Sequence, residues 1–411
     1  MGNFSIALSG LEADTTALNT IGNNLANLNT VAYKGQTTSF EDLFHQQLGE
    51  SGAGDPIQVG SGTKVGSTST DFSEGTLLPD ANGNTSDMAL DGNGFFIVEQ
   101  NGQQSLTRAG NFTVGNSGSL TTQDGQYVLG YPAANGVVNT NTNPQPITLP
   151  VGATEGAQAT QNFSVTANLN SGATVGTTFS TPLEVFDSLG QSHQATITYD
   201  KTATNTWSYS IALPAGDATG TPVNNTGTLT FDSSGNLTSP TGTVSGISFP
   251  GMADGAADLT FNWNLNGSGS SPLLTQLASA SSNGNTPQDG FASGNYTGFT
   301  VDPSGVIQAQ FSNGNTETIG QVAVANVANV QGLVSVGGNN FQTTGASGQA
   351  VAGVAGTGGR GAVDDSTLEQ SNVNISTEFS NLIVAQRAFE ANSKTVTTFD
   401  TISQDVIAMV R

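Results

Sequence analysis

Apolar residues follow two different rhythms along this chain. At the amino end Phe4, Leu8, Leu11, Thr15, Leu18, Gly22 and Leu25 succeed one another at alternating spacings of four and three, the seam of a heptad-patterned helix. At the carboxyl end Leu382, Phe389, Asn392, Val396, Phe399, Ser403, Val406 and Val410 keep the same rhythm. The spacing predicts helices over 3–27 and 375–410, roughly 38 and 54 Å long at about 1.5 Å per residue. Asn374 is placed to cap the second helix, and Glu378 falls in its first turn, where a carboxylate meets the positive end of the helix dipole.

Both helices are weak formers. Gly10 and Gly22 interrupt the first, and Thr395, Thr397 and Thr398 crowd one turn of the second. Such residues cost a few tenths to about 1 kcal/mol each in a helix interior. The ends are therefore expected to be largely disordered in a lone chain and to fold against partners. The alternative is an intramolecular helical hairpin packed on the rest of the chain.

From Ile57 to Gly361 the rhythm changes to short strand-like runs: Phe95–Val98, Leu183–Phe186, Ala195–Tyr199 and Thr228–Phe231. Asn-Gly pairs at Asn82, Asn101, Asn135, Asn266, Asn283 and Asn313 supply hairpin chemistry between runs. An Asp-x-x-Gly turn recurs at Asp187, Asp232 and Asp302, with the Asp side chain and the Gly backbone suited to the bend.

Composition narrows the class. Only 9% of the 411 residues are charged, and 31 acids face 8 Lys plus Arg, for a net charge of −23. That balance excludes a basic phosphate-neutralising face and disfavours anionic lipid, so neither nucleic acid nor membrane insertion is expected. The chain has no cysteine, which removes disulfides, thiol catalysis and thiolate metal sites. The opening residues carry no basic cluster before an apolar run, so export without a cleaved signal is expected.

Catalytic and cofactor chemistry finds little support. Gly356-x-Gly358-x-x-Gly361 matches a dinucleotide fingerprint as a string, but Asp364-Asp365-Ser366 follows where a helix should open. A Gly-rich connector is expected there. The two histidines, His45 and His193, lie in different regions and are expected to be ordinary surface or strand residues. The Asp-x-x-Gly turns lack the full ligand pattern of a calcium loop. No catalytic residue, cofactor or metal is assigned.

The ends nevertheless carry recognisable strings. Ser9-Gly10-Leu11, Ile21 to Asn27, and Asn29 to Gly35 resemble the amino-terminal signature of the flagellar rod and hook family. Leu368 to Val373, Glu378-Phe379 and Gln386 to Lys394 resemble its carboxyl-terminal partner. Leu90 to Phe96 and Arg108 to Phe112 are similar to its shared β-domain. This chain departs from the family pattern at Ala32, where Gly is usual, and at Phe389, where Tyr is frequent.

The resemblance implies a mostly β protein with α-helical termini. The terminal helices would form a coiled-coil-like core beneath two or more outer β-domains, built by a chain that goes out and returns. The expected divisions are 1–70 with 362–411, 71–150 with 290–361, and an inserted domain at 151–289. That insertion holds nine acids and one base, Lys201, together with Trp207 and Trp263. Its presence points to the hook branch of the family rather than the shorter rod branch. The implied role is self-assembly into a flexible helical tube that transmits torque from rod to filament.

Expected partners are further copies of the chain, the rod, hook cap and hook–filament junction proteins, and the flagellar type III export apparatus. Expected assembly residues are Phe4, Leu8, Leu11, Leu18, Ile21, Leu25, Asn27, Tyr33, Lys34, Leu382, Gln386, Arg387, Phe389, Asn392, Val396, Phe399, Val406 and Val410. Arg387 and Lys394 could pair with Glu378, Glu390 or a neighbour's carboxylate. Two rival readings are a distal rod protein and a secreted glycan-binding adhesin, the latter using Trp207 and Trp263 as stacking platforms.

Overall fold

Both heptad-patterned ends are helical. The computed structural model describes residues 2–50, 56–267 and 271–409; α1 spans Gly2–Ala26 and α2 spans Ile375–Met409. Asn374 caps α2 through its Oδ1, which accepts the backbone N–H groups of Ser376 (3.0 Å) and Thr377 (3.1 Å). Nearly everything between the helices is strand and turn. The chain divides into one unit comprising 1–151, 299–309 and 317–411, and a second comprising 152–298 and 310–316. Among the described residues no helix is long and apolar enough to cross a membrane.

In the first unit a large sheet is organised around the strand Phe95–Gln100. It pairs antiparallel with Gln103–Thr107 through the Asn101-Gly102 turn, whose φ values of 54° and 80° are those an Asn-Gly hairpin requires. Phe95 and Ile97 enter one core cluster with Leu106, Leu129 and Phe341. Phe96 and Val98 enter another with Met88, Leu90 and Phe112. Burial on both faces explains why this strand reads as an unbroken apolar run instead of an alternating one. The Gly356–Gly361 segment is a turn between the strands Val351–Val354 and Ala362–Asp365, as a Gly-rich connector should be.

Among the described residues three sheets of the second unit share one core, the smallest made of Ala167–Asn168, Leu274–Thr275 and Ser282–Asn283. A five-stranded antiparallel meander runs through Thr178–Phe186, Ser192–Ala203, Thr206–Ala212, Thr226–Phe231 and Leu237–Ser239. A three-stranded sheet of Asn162–Ser164, Leu259–Asn264 and Thr243–Phe249 contributes to the same cluster. Alternate residues of each strand point inward, matching the period of two in the sequence. All three Asp-x-x-Gly turns close alike. The Asp Oδ1 accepts two backbone N–H groups: Leu189 and Gln191 at Asp187, Ser234 and Asn236 at Asp232, Ser304 and Val306 at Asp302.

Two expectations for this unit are overturned. Trp207 and Trp263 are both 0% exposed, so neither can stack on a glycan. Trp207 donates its indole N–H to Gln276 Oε1 at 3.0 Å, and Trp263 stacks on Phe163 with centroids 5.9 Å apart. Lys201 is buried as well, its ammonium 5.8 Å from the Trp207 ring centroid. His193 does lie in a strand but is not an ordinary residue, because it is buried among Asp187, Asp217 and Asp254.

Candidate assembly interface

The two helices lie antiparallel within one chain, which realises the hairpin alternative. Gly35 N–H, just beyond α1, donates to Asn372 Oδ1 just before α2 at 2.8 Å. Further along, Asn392 Nδ2 donates to Asp14 Oδ2 at 2.8 Å. At Gly10 the approach is so close that a Cβ would sit 2.7 Å from Asn392 Nδ2. α1 also rests on the two-stranded sheet of Gln36–Asp42 and Thr63–Thr70, where the Thr20 and Thr38 hydroxyls meet at 2.9 Å.

The buried face of α1 is not the leucine seam that spacing picks out. Ala7, Gly10, Ala13 and Asn24 are buried, whereas Leu8 is 44% exposed and Thr15 and Gly22 are exposed. Small side chains let two helix axes come close, and their low hydropathy hides them from a search for large apolar residues. Leu11, Leu18, Ile21 and Leu25 are half-buried at the edge of this face.

On α2, Leu382, Asn392, Val396 and Phe399 are half-buried, and Ala385 is buried. Gln386, Phe389 and Val406 are exposed. Arg387 pairs with Glu390 at 3.1 Å on the open surface, with 78% and 65% of the side chains exposed; such a pair contributes about 0–1 kcal/mol. Ile375, Phe379, Ile383, Val384, Ile402, Ile407 and Met409 are exposed too. The side chain of Phe4, and Val410 as a whole, lie outside the described residues.

The root of the helix pair is held by a polar stitch that spacing alone did not suggest. Asn24 closes the turn after α1, its Oδ1 accepting Gln36 N–H (2.9 Å) and its Nδ2 donating to Gln36 O (2.8 Å). Tyr33 OH accepts from Asn23 Nδ2 at 3.0 Å, and Asn27 Nδ2 donates to Asn23 O at 2.9 Å. Glu369, whose side chain is 0% exposed, is the centre. Its Oε1 accepts from Lys34 Nζ (2.6 Å) and Gly75 N–H (2.8 Å), and its Oε2 accepts from Arg108 Nε (2.9 Å). Arg108 spends its remaining donors on the carbonyls of Gly92, Gly94 and Leu90.

Burial pulls the Lys34 ammonium below its ordinary pKa, and the Glu369 carboxylate offsets this only in part. The Lys34 ammonium is turned inward to Glu369 and Ser73 O, where it ties the segment after α1 to the one before α2. The missed residues Glu369, Arg108 and Asn24 all fall inside the strings that carry the family resemblance, which was the available signal.

Elsewhere, Asp187, His193 and Asp254 come nearest to a metal-binding set among the described residues, but carboxylates already sit on both ring nitrogens.

Comparison with known proteins agrees along the whole chain. Residues 4–34 match the flagella basal body rod protein family, and 89–168 match the flagellar hook protein FlgE/F/G D1 domain. Residues 165–291 match the flagellar basal body protein FlaE D2 domain, and 365–409 the flagellar basal body rod FlgEFG protein C-terminal region. The flagellar hook protein FlgE of Salmonella typhimurium is 34% identical over 420 residues, covering 98% of this chain and 99% of the relative. That of Treponema pallidum is 31% identical, covering 98% of each. The solved structure of Helicobacter pylori flagellar hook protein FlgE2 shares the fold, with a TM-score of 0.54 at 15% identity over 71% of this chain and all of that one. With matches in this order from end to end, the chain belongs to the flagellar hook protein FlgE family.

Proposed function

We propose that this chain packs its terminal helices against those of neighbouring copies to build a flexible helical tube, a universal joint that carries torque from rod to filament while it bends. As a hook-family member it is a structural subunit of the bacterial flagellar hook that self-polymerises and associates with the basal body. The observation that supports the finer reading is the bare apolar surface of α2, where a helix of 35 residues has Ala385 as its buried side chain and Met409 is 79% exposed. Burying one such aliphatic or aromatic side chain contributes about 1.5–3 kcal/mol. Contacts between different faces of successive copies propagate as a helix when they do not close into a ring.

In this reading Phe4, Leu8, Leu11, Leu18, Ile21 and Leu25, together with Leu382, Gln386, Phe389, Val396, Phe399, Val406 and Val410, meet neighbours. Segments 1–70 and 362–411 form the chain's helical core domain, 71–150 and 290–361 a discontinuous β-domain, and 151–289 an inserted β-domain. Rod, cap and junction proteins and the type III export apparatus are its further partners, and export needs no cleaved signal. Weak helices and a chain free of disulfides suit passage through a narrow channel unfolded.

The test compares the full chain with a version lacking 1–30 and 375–411, by negative-stain electron microscopy under polymerising salt. Curved tubes from the full chain alone are expected. Tubes from both, or from neither, would refute assembly through the helices.

A further inference from the structure

His193 stands at the start of the strand Ser192–Ala203 and is 7% exposed. Its Nδ1 is 2.9 Å from Asp217 Oδ2, and its Nε2 is 3.0 Å from Asp187 Oδ2 and 3.7 Å from Asp254 Oδ2. These carboxylates are the charged groups that face the ring, and each comes from a different connection. Asp187 lies in the turn after Thr178–Phe186, Asp217 in the segment after Thr206–Ala212, and Asp254 in the segment between Thr243–Phe249 and Leu259–Asn264.

A neutral imidazole offers one N–H and one lone pair. With a carboxylate at each nitrogen, either neutral tautomer would point its lone pair at an acceptor oxygen. Only the doubly protonated ring donates to both.

We infer that His193 is an imidazolium latch that ties three connections of the second unit together, and that alkaline pH opens it. The surrounding bonds are those the latch keeps in register: Ala253 N–H to Asp217 O at 2.9 Å and Ala257 N–H to Ser188 Oγ at 2.9 Å. Loss of the ring proton leaves Asp187, Asp217 and Asp254 around a neutral ring, with no cation between them.

The electrostatics agree. Burial alone would lower the His193 pKa, but the hydrogen bonds and charges of Asp187 and Asp217 outweigh it and raise the pKa above 6.5. A raised pKa means that the latch contributes fully below 6.5 and is lost as pH climbs through the folded value. Burial would also raise Asp187, yet hydrogen bonds at its carboxylate, with His193 and the N–H groups of Gln191 and Leu189 as donors, bring it down to about 2. The acceptor on Nε2 therefore stays ionised throughout the range in which the ring titrates.

The chain has two histidines, so the His193 ring is readily assigned in the full-length protein. Ring-nitrogen NMR on the full chain should show both His193 nitrogens protonated at neutral pH, with a midpoint above 6.5. Asp217→Asn should lower the His193 midpoint. Amide exchange around Asp217 and Asp254 should quicken above the His193 midpoint in the unsubstituted chain. A single protonated nitrogen at neutral pH, or a midpoint at or below 6.5, overturns the imidazolium. A high midpoint without faster exchange overturns the latch.

Discussion

Replacing Glu369 by Gln keeps the shape of the side chain and removes its charge. Lys34 and Arg108, both buried, would then face an amide where each now meets a carboxylate oxygen, at 2.6 and 2.9 Å. Breaking a buried ion pair by removing one partner costs about 3–5 kcal/mol, because the charge left behind is uncompensated. Here two cations are stranded by one change, though each keeps carbonyl partners: Ser73 O for Lys34, and Gly92, Gly94 and Leu90 O for Arg108. We expect the lower half of that range, about 3 kcal/mol. At a urea dependence of about 2 kcal/mol per molar this moves the midpoint down by about 1.5 M.

The structure supplies two separate probes. Both tryptophans lie in the second unit, whereas both helices lie in the first. Helix circular dichroism should shift with Glu369→Gln, and tryptophan fluorescence should keep its midpoint. Adding Lys34→Met to Glu369→Gln should cost less than the sum of the single changes, with a coupling of at least about 1 kcal/mol. A helix midpoint shift below about 0.3 M would refute the stitch as a stabilising centre.

Ala32 adopts φ 53° and is buried, and its N–H donates to Glu369 O at 2.8 Å. Ala32→Gly relieves left-handed strain of about 1–2 kcal/mol and gives back about 0.4–1 kcal/mol through the unfolded chain, so a small net stabilisation by urea melt is expected. Burial would raise the pKa of Asp289, but the backbone and side chain of Asn162 and the Gln161 N–H outweigh it and hold the carboxylate below 3.8. A depressed pKa contributes stability above 3.8 that is lost as pH falls through the folded value. Asp289→Asn should thus cost about 1.5–3 kcal/mol near neutrality by tryptophan fluorescence, with the gap to the parent closing in acid. Val406→Asp, on the exposed end of α2, should leave the monomer melt within about 0.5 kcal/mol and abolish tubes in electron micrographs; unimpaired tubes would remove that end from the interface.

The fold was legible where periodicity or turn chemistry dominates. Both helices, the Asn374 cap, the Asn101-Gly102 hairpin and the three Asp-x-x-Gly turns follow from local rules that tertiary packing left alone. The helix contact face was not legible, because Ala7, Gly10 and Ala13 give almost no hydropathy signal and owe their burial to the closeness of α2. His193 was misread for a related reason. Asp187 lies six residues away, but Asp217 and Asp254 reach the ring only through the fold, so no linear pattern marks the cluster. Glu369 is likewise 335 residues from Lys34, and only the family-like strings around both hinted that they belong together.

The way the chain spends its few cations has a consequence for how copies meet. Of eight Lys and Arg residues, Lys34, Arg108 and Lys201 are buried, as are the acids Asp87, Asp187 and Glu369, so the full negative excess of the chain stays on its surface. Copies brought side by side repel over roughly a Debye length, about 30 Å at 0.01 M salt and about 8 Å at 0.15 M. Polymer growth should therefore have an ionic-strength threshold, with dilute buffer holding the subunits apart and ordinary salt letting the short-range apolar contacts take over.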